Sequence, residues 1–235
     1  MEVHGNPRIQ MIISLHLPKT AGTSFGEALS SHFGASFVKD YEDRPFVTDP
    51  EQRQQAALEA RSKNADRDFG GVDCIHGHFL PVKYLGVAAR SHVQFVTWLR
   101  DPVHRVLSHY YFWRRTYNPE TSPALHRRVV EENWSLERFC LSSELRNFYG
   151  QFLWQFPISR FDFIGISERY SEDLEYFGQQ FLGRRLKLLR LNVADDPGRA
   201  DGTDDRLRNR IEEWNADDMA LYRYACAKRG ERPLP

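Results

Sequence analysis

The chain predicts an α/β fold: a P-loop-like, three-layer domain with a mainly parallel central sheet flanked by helices. Three observations carry this. Short apolar runs recur at about 11–16, 72–75, 93–99, 161–166 and 187–191, and most precede a stretch of helical character. That alternation belongs to a parallel sheet with crossover helices. The first run, Met11-Ile12-Ile13-Ser14-Leu15, leads into Leu17-Pro18-Lys19-Thr20-Ala21-Gly22-Thr23-Ser24-Phe25, where a lysine, small residues and hydroxyls turn a strand into a helix. The run at 93–99 leads into Arg100-Asp101-Pro102, with Asp101 suited to a helix N-cap and Pro102 to the first helical position.

Taken in order, residues 1–9 form a tail whose opening, Met1-Glu2-Val3-His4-Gly5-Asn6-Pro7-Arg8, has no apolar core and does not read as a signal peptide. The first helix, about 23–33, opens with Ser24-Phe25-Gly26-Glu27, a capping-box pattern that gives Glu27 a structural role. Thr48-Asp49-Pro50 starts a helix over about 51–62. From 101 to 156 the chain reads as nearly continuous helix with short turns, rich in Tyr110, Tyr111, Phe112, Trp113, Phe139, Phe148, Phe152 and Trp154. Asp195-Asp196-Pro197-Gly198 and the residues to Gly202 are the clearest loop. The C-terminal helix, about 203–228, carries Leu207, Ile211, Trp214, Leu221 and Ala225 on one stripe, with a kink and restart at Asn215.

The whole chain of 235 residues is expected to form a single domain. Charged residues at 27% and aromatics at 13% exclude wholesale disorder. A formal net charge of zero removes the global basic field that draws a protein onto nucleic acid, so no nucleic-acid partner is expected. Cys74, Cys140 and Cys226 are odd in number and lack metal-ligand spacing, which predicts reduced thiols in a cytosolic setting. No stretch approaches the ~20 apolar residues of a membrane span.

Two segments have the chemistry of anion sites. In the loop at 17–25, small side chains let backbone N–H groups approach a phosphate, the helix N-terminus adds a favourable dipole, and Lys19 supplies a full charge. In the second segment, offsets of 4 and 7 from Asp101 put Arg105 and Ser108 on one helical face, beyond Arg100 at the strand end. By itself that segment reads equally well as an ordinary capped helix with surface arginines. His76 and His78 follow a strand, and their i, i+2 spacing puts both rings on one face near the sheet's C-terminal edge if the strand continues. On the residues alone they are a base, satisfied loop histidines or half of a metal pair. His16 is expected to pack or orient the loop, and His104 and His109 to face solvent or phosphate. Arg114-Arg115 and His126-Arg127-Arg128 are local positive clusters, either solvated helix faces or contacts for an anionic substrate.

Together the loop and the Arg100-to-Ser108 segment resemble the sulfotransferases that use 3′-phosphoadenosine-5′-phosphosulfate (PAPS). In that family a Pro-Lys-Thr-type loop grips the 5′-phosphosulfate and an Arg-x₇-Ser pair grips the 3′-phosphate. The resemblance therefore implies Lys19, Thr20, Ala21, Gly22, Thr23 and Ser24, with Arg100 and Ser108, as cofactor-binding residues. It extends through Ser108-His109-Tyr110-Tyr111-Phe112-Trp113-Arg114, the preceding His76-Gly77-His78, and Phe163-Ile164-Gly165-Ile166-Ser167-Glu168-Arg169-Tyr170. The combination looks most like the heparan sulfate 2-O-sulfotransferase type, which acts on uronic acids. Residues 10–225 follow the family pattern, with 40–70 the poorest match.

What the resemblance implies is in-line transfer of a sulfuryl group to an acceptor hydroxyl of a carbohydrate, either a glycan or a sugar-containing metabolite. His78 would be the general base, Lys19 would stabilise the leaving phosphate, and His76 would support them or bind acceptor. Some aromatics of the 101–156 acceptor-side region would line the acceptor cleft, and the late loop would close over the nucleotide. No metal is required in principle, because cationic side chains and N–H groups handle the charge.

Two departures matter. Many cytosolic members run Lys-x-Gly-Thr-Thr, whereas here Gly22 falls one place later. Golgi relatives carry an N-terminal membrane anchor, so a soluble, cytoplasmic, bacterial form is expected instead. The rival readings are a P-loop kinase or nucleotidase, against which Gly-x₄-Gly-Lys-[Ser/Thr] is missing, and a PAPS-binding module without turnover.

Overall fold

The computed structural model describes residues 11–89, 92–188 and 203–231. Its centre is an all-parallel five-stranded sheet in the order β2-β3-β1-β4-β5. Strand β1 is Met11–Leu15 and leads into α1 (Gly22–Phe33). Next come β2 (Phe37–Asp40), α2 (Pro50–Asp66), β3 (Cys74–Gly77), α3 (Leu85–Ala88) and β4 (Val93–Leu99). A helical excursion follows: α4 (Pro102–Thr116), α5 (Ala124–Glu131), α6 (Leu136–Cys140) and α7 (Phe148–Phe152). The chain returns to the sheet as β5 (Phe163–Ile166) and ends its described part in α8 (Tyr170–Leu182), α9 (Asp205–Trp214) and α10 (Ala216–Gly230).

Alternation along each strand separates the two faces of the sheet. Ile12, Cys74, Val96, Trp98 and Phe163 pack with Phe25 and Leu29 of α1 and with Leu174 and Phe177 of α8. Ile13, Leu15, Ile75, Phe95, Leu99, Ile164 and Ile166 pack on the other side with Phe148 and Phe152 of α7 and Ala225 of α10. These faces make the three layers. A further core of Val106, Tyr110, Trp113, Trp134, Phe139 and Ile211 binds α4, α5, α6 and α9 to one another.

Several expectations need correction. The run at 187–191 is no strand at Lys187 and Leu188, and its remainder lies outside the described residues, as does the loop at 195–202. The fifth strand is β2, a short edge strand whose middle residues Val38 and Lys39 are exposed, so it carries little apolar signal. The helix expected over 203–228 does restart at Asn215, forming α9 and α10. Asn215 separates them, and its side-chain amide donates to the Ile211 carbonyl at 2.9 Å while its Oδ1 accepts the Asn147 N–H at 3.0 Å. The capping box at Ser24 does not form, because α1 begins at Gly22 after Ala21, with no side-chain cap. Glu27 instead lies 4.0 Å from Lys39 in an exposed pair, an arrangement that contributes little stability.

Candidate functional site

The order of the strands brings the predicted segments together. Leu15 at the end of β1 lies opposite Gly77 of β3 on one side and Thr97 of β4 on the other. Lys19 stands four residues past Leu15, Arg100 three past Thr97, and His78 one past Gly77. All three leave the C-terminal edge of adjacent parallel strands. Between β1 and β4 the connections diverge to opposite sides of the sheet, which is where open α/β sheets form their binding crevice.

The β1–α1 loop has the backbone of an anion cradle. Lys19 has φ 69° and Ala21 has φ 65°, both left-handed and neither a glycine. Each such residue costs on the order of 1–2 kcal/mol, and strain of this kind gathers where backbone N–H groups must point to one place. Thr20, fully buried between them, donates its hydroxyl to the Leu17 carbonyl at 2.7 Å and so holds the turn. No side chain caps α1 and no acidic residue stands in its first turn, which leaves the positive end of the helix dipole uncompensated. Thr23 is exposed there, while Gly22 and Ser24 are buried. The Lys19 ammonium rests 4.0 Å from the centre of the Phe112 ring on α4.

Gly22 and Gly26, one turn apart on α1, make room for two imidazoles. A Cβ on Gly22 would lie 1.9 Å from the His16 ring, and one on Gly26 would lie 2.6 Å from that of His76. His16 and His76 stack with ring centroids 5.2 Å apart, and His16 and His78 are 4.5 Å apart. His76 lies inside β3, wholly buried, with Nδ1 2.8 Å from Ser14 Oγ. Burial, then the neighbouring His78, drive its pKa down to about 3, against a weak upward pull from the backbone of Gly22. His76 is thus buried and neutral, next to Gly26 of α1.

His78 is half-buried. Its Nδ1–H donates to the His16 carbonyl, which fixes the tautomer and leaves Nε2 as the basic nitrogen. Burial lowers its pKa, while that backbone bond and the charge of Asp43 oppose the shift. The ring is flanked by Tyr41 at 4.8 Å and Phe152 at 6.2 Å. His16 has its Nδ1 2.9 Å from the Tyr41 hydroxyl, and burial followed by His78, His76 and Lys19 holds its pKa well below the usual value.

On the β4 side, Asp101 caps α4 by accepting the His104 N–H at 3.0 Å, and its own N–H donates to Glu168 at 3.0 Å. Ser108 is half-buried on the same side of α4 as half-buried His104, Tyr111 and Phe112. Arg105 does not share that face. It is completely buried, resting 4.6 Å from the Phe148 ring centre, with none of its three guanidinium nitrogens hydrogen-bonded among the described residues. His109 is likewise core, ringed by Phe46, Trp113, Phe139 and Phe148.

The basic clusters lose one member to the core and keep their arginines exposed. His126 is buried, with Nε2–H donating to the Trp113 carbonyl at 2.7 Å. Arg114 donates to the Tyr110 hydroxyl and Asn133, and Arg128 lies within 3.6 Å of Glu132 and 3.8 Å of Glu144. A groove of about 500 Å³ on the α6–α9 side is lined by Trp134, Glu137, Arg138, Ser142 and Arg210 and shares no residue with the histidine and lysine crevice. Among the described residues no three His, Cys, Asp or Glu side chains are grouped to hold a metal ion, and no helix is long and apolar enough to cross a membrane. Sequence reasoning passed over Tyr41, which sits in the poorly matching 40–70 stretch, and Tyr149, whose contact lies 49 residues away from Arg100 and leaves no local signal.

No protein-family model matches the chain, and no curated protein does. Among solved structures, a retinol dehydratase in complex with androsterone and the inactive cofactor PAP is similar at 14% identity and a TM-score of 0.48, over 91% of this chain and 82% of that one. A likeness at that level decides nothing about activity, so the functional reading rests on this chain's own residues.

Proposed function

We propose that this protein is a sulfotransferase that moves a sulfuryl group from PAPS to an acceptor hydroxyl. The observation that carries the reading is the meeting, at the C-terminal ends of β3, β1 and β4, of a neutral histidine, a lysine-bearing anion cradle and an Arg-x₇-Ser helix start. The residues present fit such a nucleotide: two left-handed positions, a helix N-terminus without a cap, and two cationic side chains suit two separated anionic groups. PAPS brings the activated sulfuryl group and departs as adenosine 3′,5′-bisphosphate.

Each residue then has one task. Lys19 and the N–H groups from Thr20 to Ser24 hold the 5′-phosphosulfate and offset charge developing on the leaving phosphate. Arg100 and Ser108 hold the 3′-phosphate. His78 accepts the acceptor's hydroxyl proton at Nε2, being neutral at working pH and fixed in orientation by the His16 carbonyl. His76 and His16 keep that geometry from beneath. The acceptor we favour is a carbohydrate hydroxyl. Glu132 and Glu144 offset the charge of Arg128, whereas Arg114, bonded to the neutral Tyr110 hydroxyl and Asn133, keeps its charge.

The test is a nucleotide-binding panel followed by transfer of radiolabelled sulfate into fractionated glycans and metabolites. Adenosine 3′,5′-bisphosphate should bind far tighter than ATP with magnesium, and label should appear in a hydroxyl-bearing fraction only with PAPS. Preference for ATP with magnesium would replace this reading with a kinase-type one. Tight bisphosphate binding with no labelled product across a broad screen would leave a binding module.

A further inference from the structure

We propose that Tyr149 is a positioning residue for Arg100: its hydroxyl clamps both backbone groups of that arginine and so sets where the guanidinium leaves the sheet. The inference rests on the assignment of Arg100 to the nucleotide's 3′-phosphate. The Tyr149 O–H donates to the Arg100 carbonyl at 2.5 Å, and the Arg100 N–H donates back to the same oxygen at 3.0 Å. One hydroxyl thus satisfies the donor and the acceptor of a single residue just beyond β4, where the ladder with β1 and β5 has ended.

The clamp has a rigid mount. Tyr149 is fully buried in α7, and its own N–H donates to both carboxylate oxygens of Asp218 on α10, at 3.1 and 3.0 Å. The preceding Asn147 is tied to the same region, with its N–H on Asn215 Oδ1 at 3.0 Å and its side-chain amide on Asp217 at 2.7 Å. Arg105 lies over the Tyr149 ring at 5.9 Å and over Phe148 at 4.6 Å. Burial keeps the phenol protonated, with Arg105 opposing only in part, so the hydroxyl stays a donor. A ring alone would fill this space. The hydroxyl is the part that packing does not require.

Removing it leaves the ring's packing intact and frees the Arg100 peptide. Tyr149→Phe should reduce preference for adenosine 3′,5′-bisphosphate over adenosine 5′-monophosphate by roughly 5- to 30-fold, the scale of losing well-placed hydrogen bonds to a charged group. Affinity for the monophosphate should change less than about twofold. In an Arg100→Ala background, Tyr149→Phe should cause no further loss of that preference. Titration calorimetry on the full chain measures all four proteins. Undiminished preference in a folded Tyr149→Phe protein, equal weakening of both nucleotides, or a second loss additive to Arg100→Ala would each overturn the clamp. If Tyr149→Phe does not fold, Asp218→Asn, which loosens the mount and leaves the hydroxyl, takes its place, and full preference in that protein would overturn the clamp equally. A wild-type protein with no preference for the 3′-phosphate would instead sink the assignment of Arg100.

Discussion

The two flanks of the crevice treat ionisable groups in opposite ways. On the β3 side, His16, His76 and His78 are packed against one another and lose charge to burial. On the β4 side, the Lys19 ammonium rests over Phe112 of α4, Arg100 stands just past the strand end, and the cation within the core, Arg105, belongs to a residue type that does not give up its proton. The difference matches the two demands of the proposed sulfuryl transfer: a group that takes a proton must be neutral beforehand, and a group that holds a phosphate must be cationic throughout. Burial changes the charge of an imidazole because its pKa lies near working pH; it lowers the pKa of the Arg105 guanidinium too, but from so far above working pH that the proton stays.

Breaking the neutral flank should have the largest effect. His78→Ala should lower turnover by roughly 10²–10⁴ while leaving nucleotide affinity unchanged, as expected on loss of a general base. Steady-state kinetics beside direct binding separate the two, and a near-normal rate would take His78 out of the mechanism. On the cationic flank, Lys19→Met should cost about 10²–10³ in turnover, the scale of removing one donor to developing charge, and should weaken the 5′-phosphosulfate end. Arg100→Ala should weaken adenosine 3′,5′-bisphosphate by ~1.5–3 kcal/mol and spare adenosine 5′-phosphosulfate. Equal losses on both ligands, read by calorimetry, would contradict the division between the patches.

The contrast also has a signature in stability. His16, His76, His78 and His109 all have folded-state pKa values below the unfolded value near 6.5, chiefly through burial. Below that pH the unfolded chain binds protons that the fold refuses, so stability is complete above 6.5 and falls as the solution is acidified, for His76 down to about 3. Asp218 works against this, because burial raises its pKa to about 6 and the fold then gains stability as it protonates. His32 shifts the same way as those four, while His104, raised by its bond to Glu168, and Asp162, raised by burial, oppose it with Asp218. Five groups against three predict net acid lability, with each unbalanced proton worth about 1.4 kcal/mol per pH unit. Thermal melts between pH 7 and 5 should show it, and His109→Phe, suited to the aromatic ring around it, should flatten the slope. The smallest expected effect is Ala21→Gly, which relieves a left-handed alanine and should raise stability by about 1 kcal/mol with nucleotide binding retained. A loss of stability would mean the loop is not strained there.

Where local chemistry decides the structure, the residues announce it. The helix start at Asp101-Pro102 and that at Asp49-Pro50 form as read, because cap and proline act within one turn. The strand-to-helix turn at Lys19 is legible because a strand end, a lysine and small residues are contiguous. The capping box at Ser24 fails although it is local, since the left-handed Ala21 starts α1 earlier than the side-chain pattern suggests. Groupings made only by the fold left no trace: the stack of His16 on His76, the pairing of Arg128 with Glu144, and the inward turn of Arg105 away from Ser108. Edge strand β2 escaped notice for a different reason, because its exposed Val38 and Lys39 give it no apolar run.

One consequence follows from the bond between His78 and the His16 carbonyl. With Nδ1 committed, the ring has a single working nitrogen, so a proton captured there must leave again from Nε2. In the proposed reaction, reset after each turnover would thereby be coupled to emptying of the crevice, and small proton carriers in the medium should set its pace.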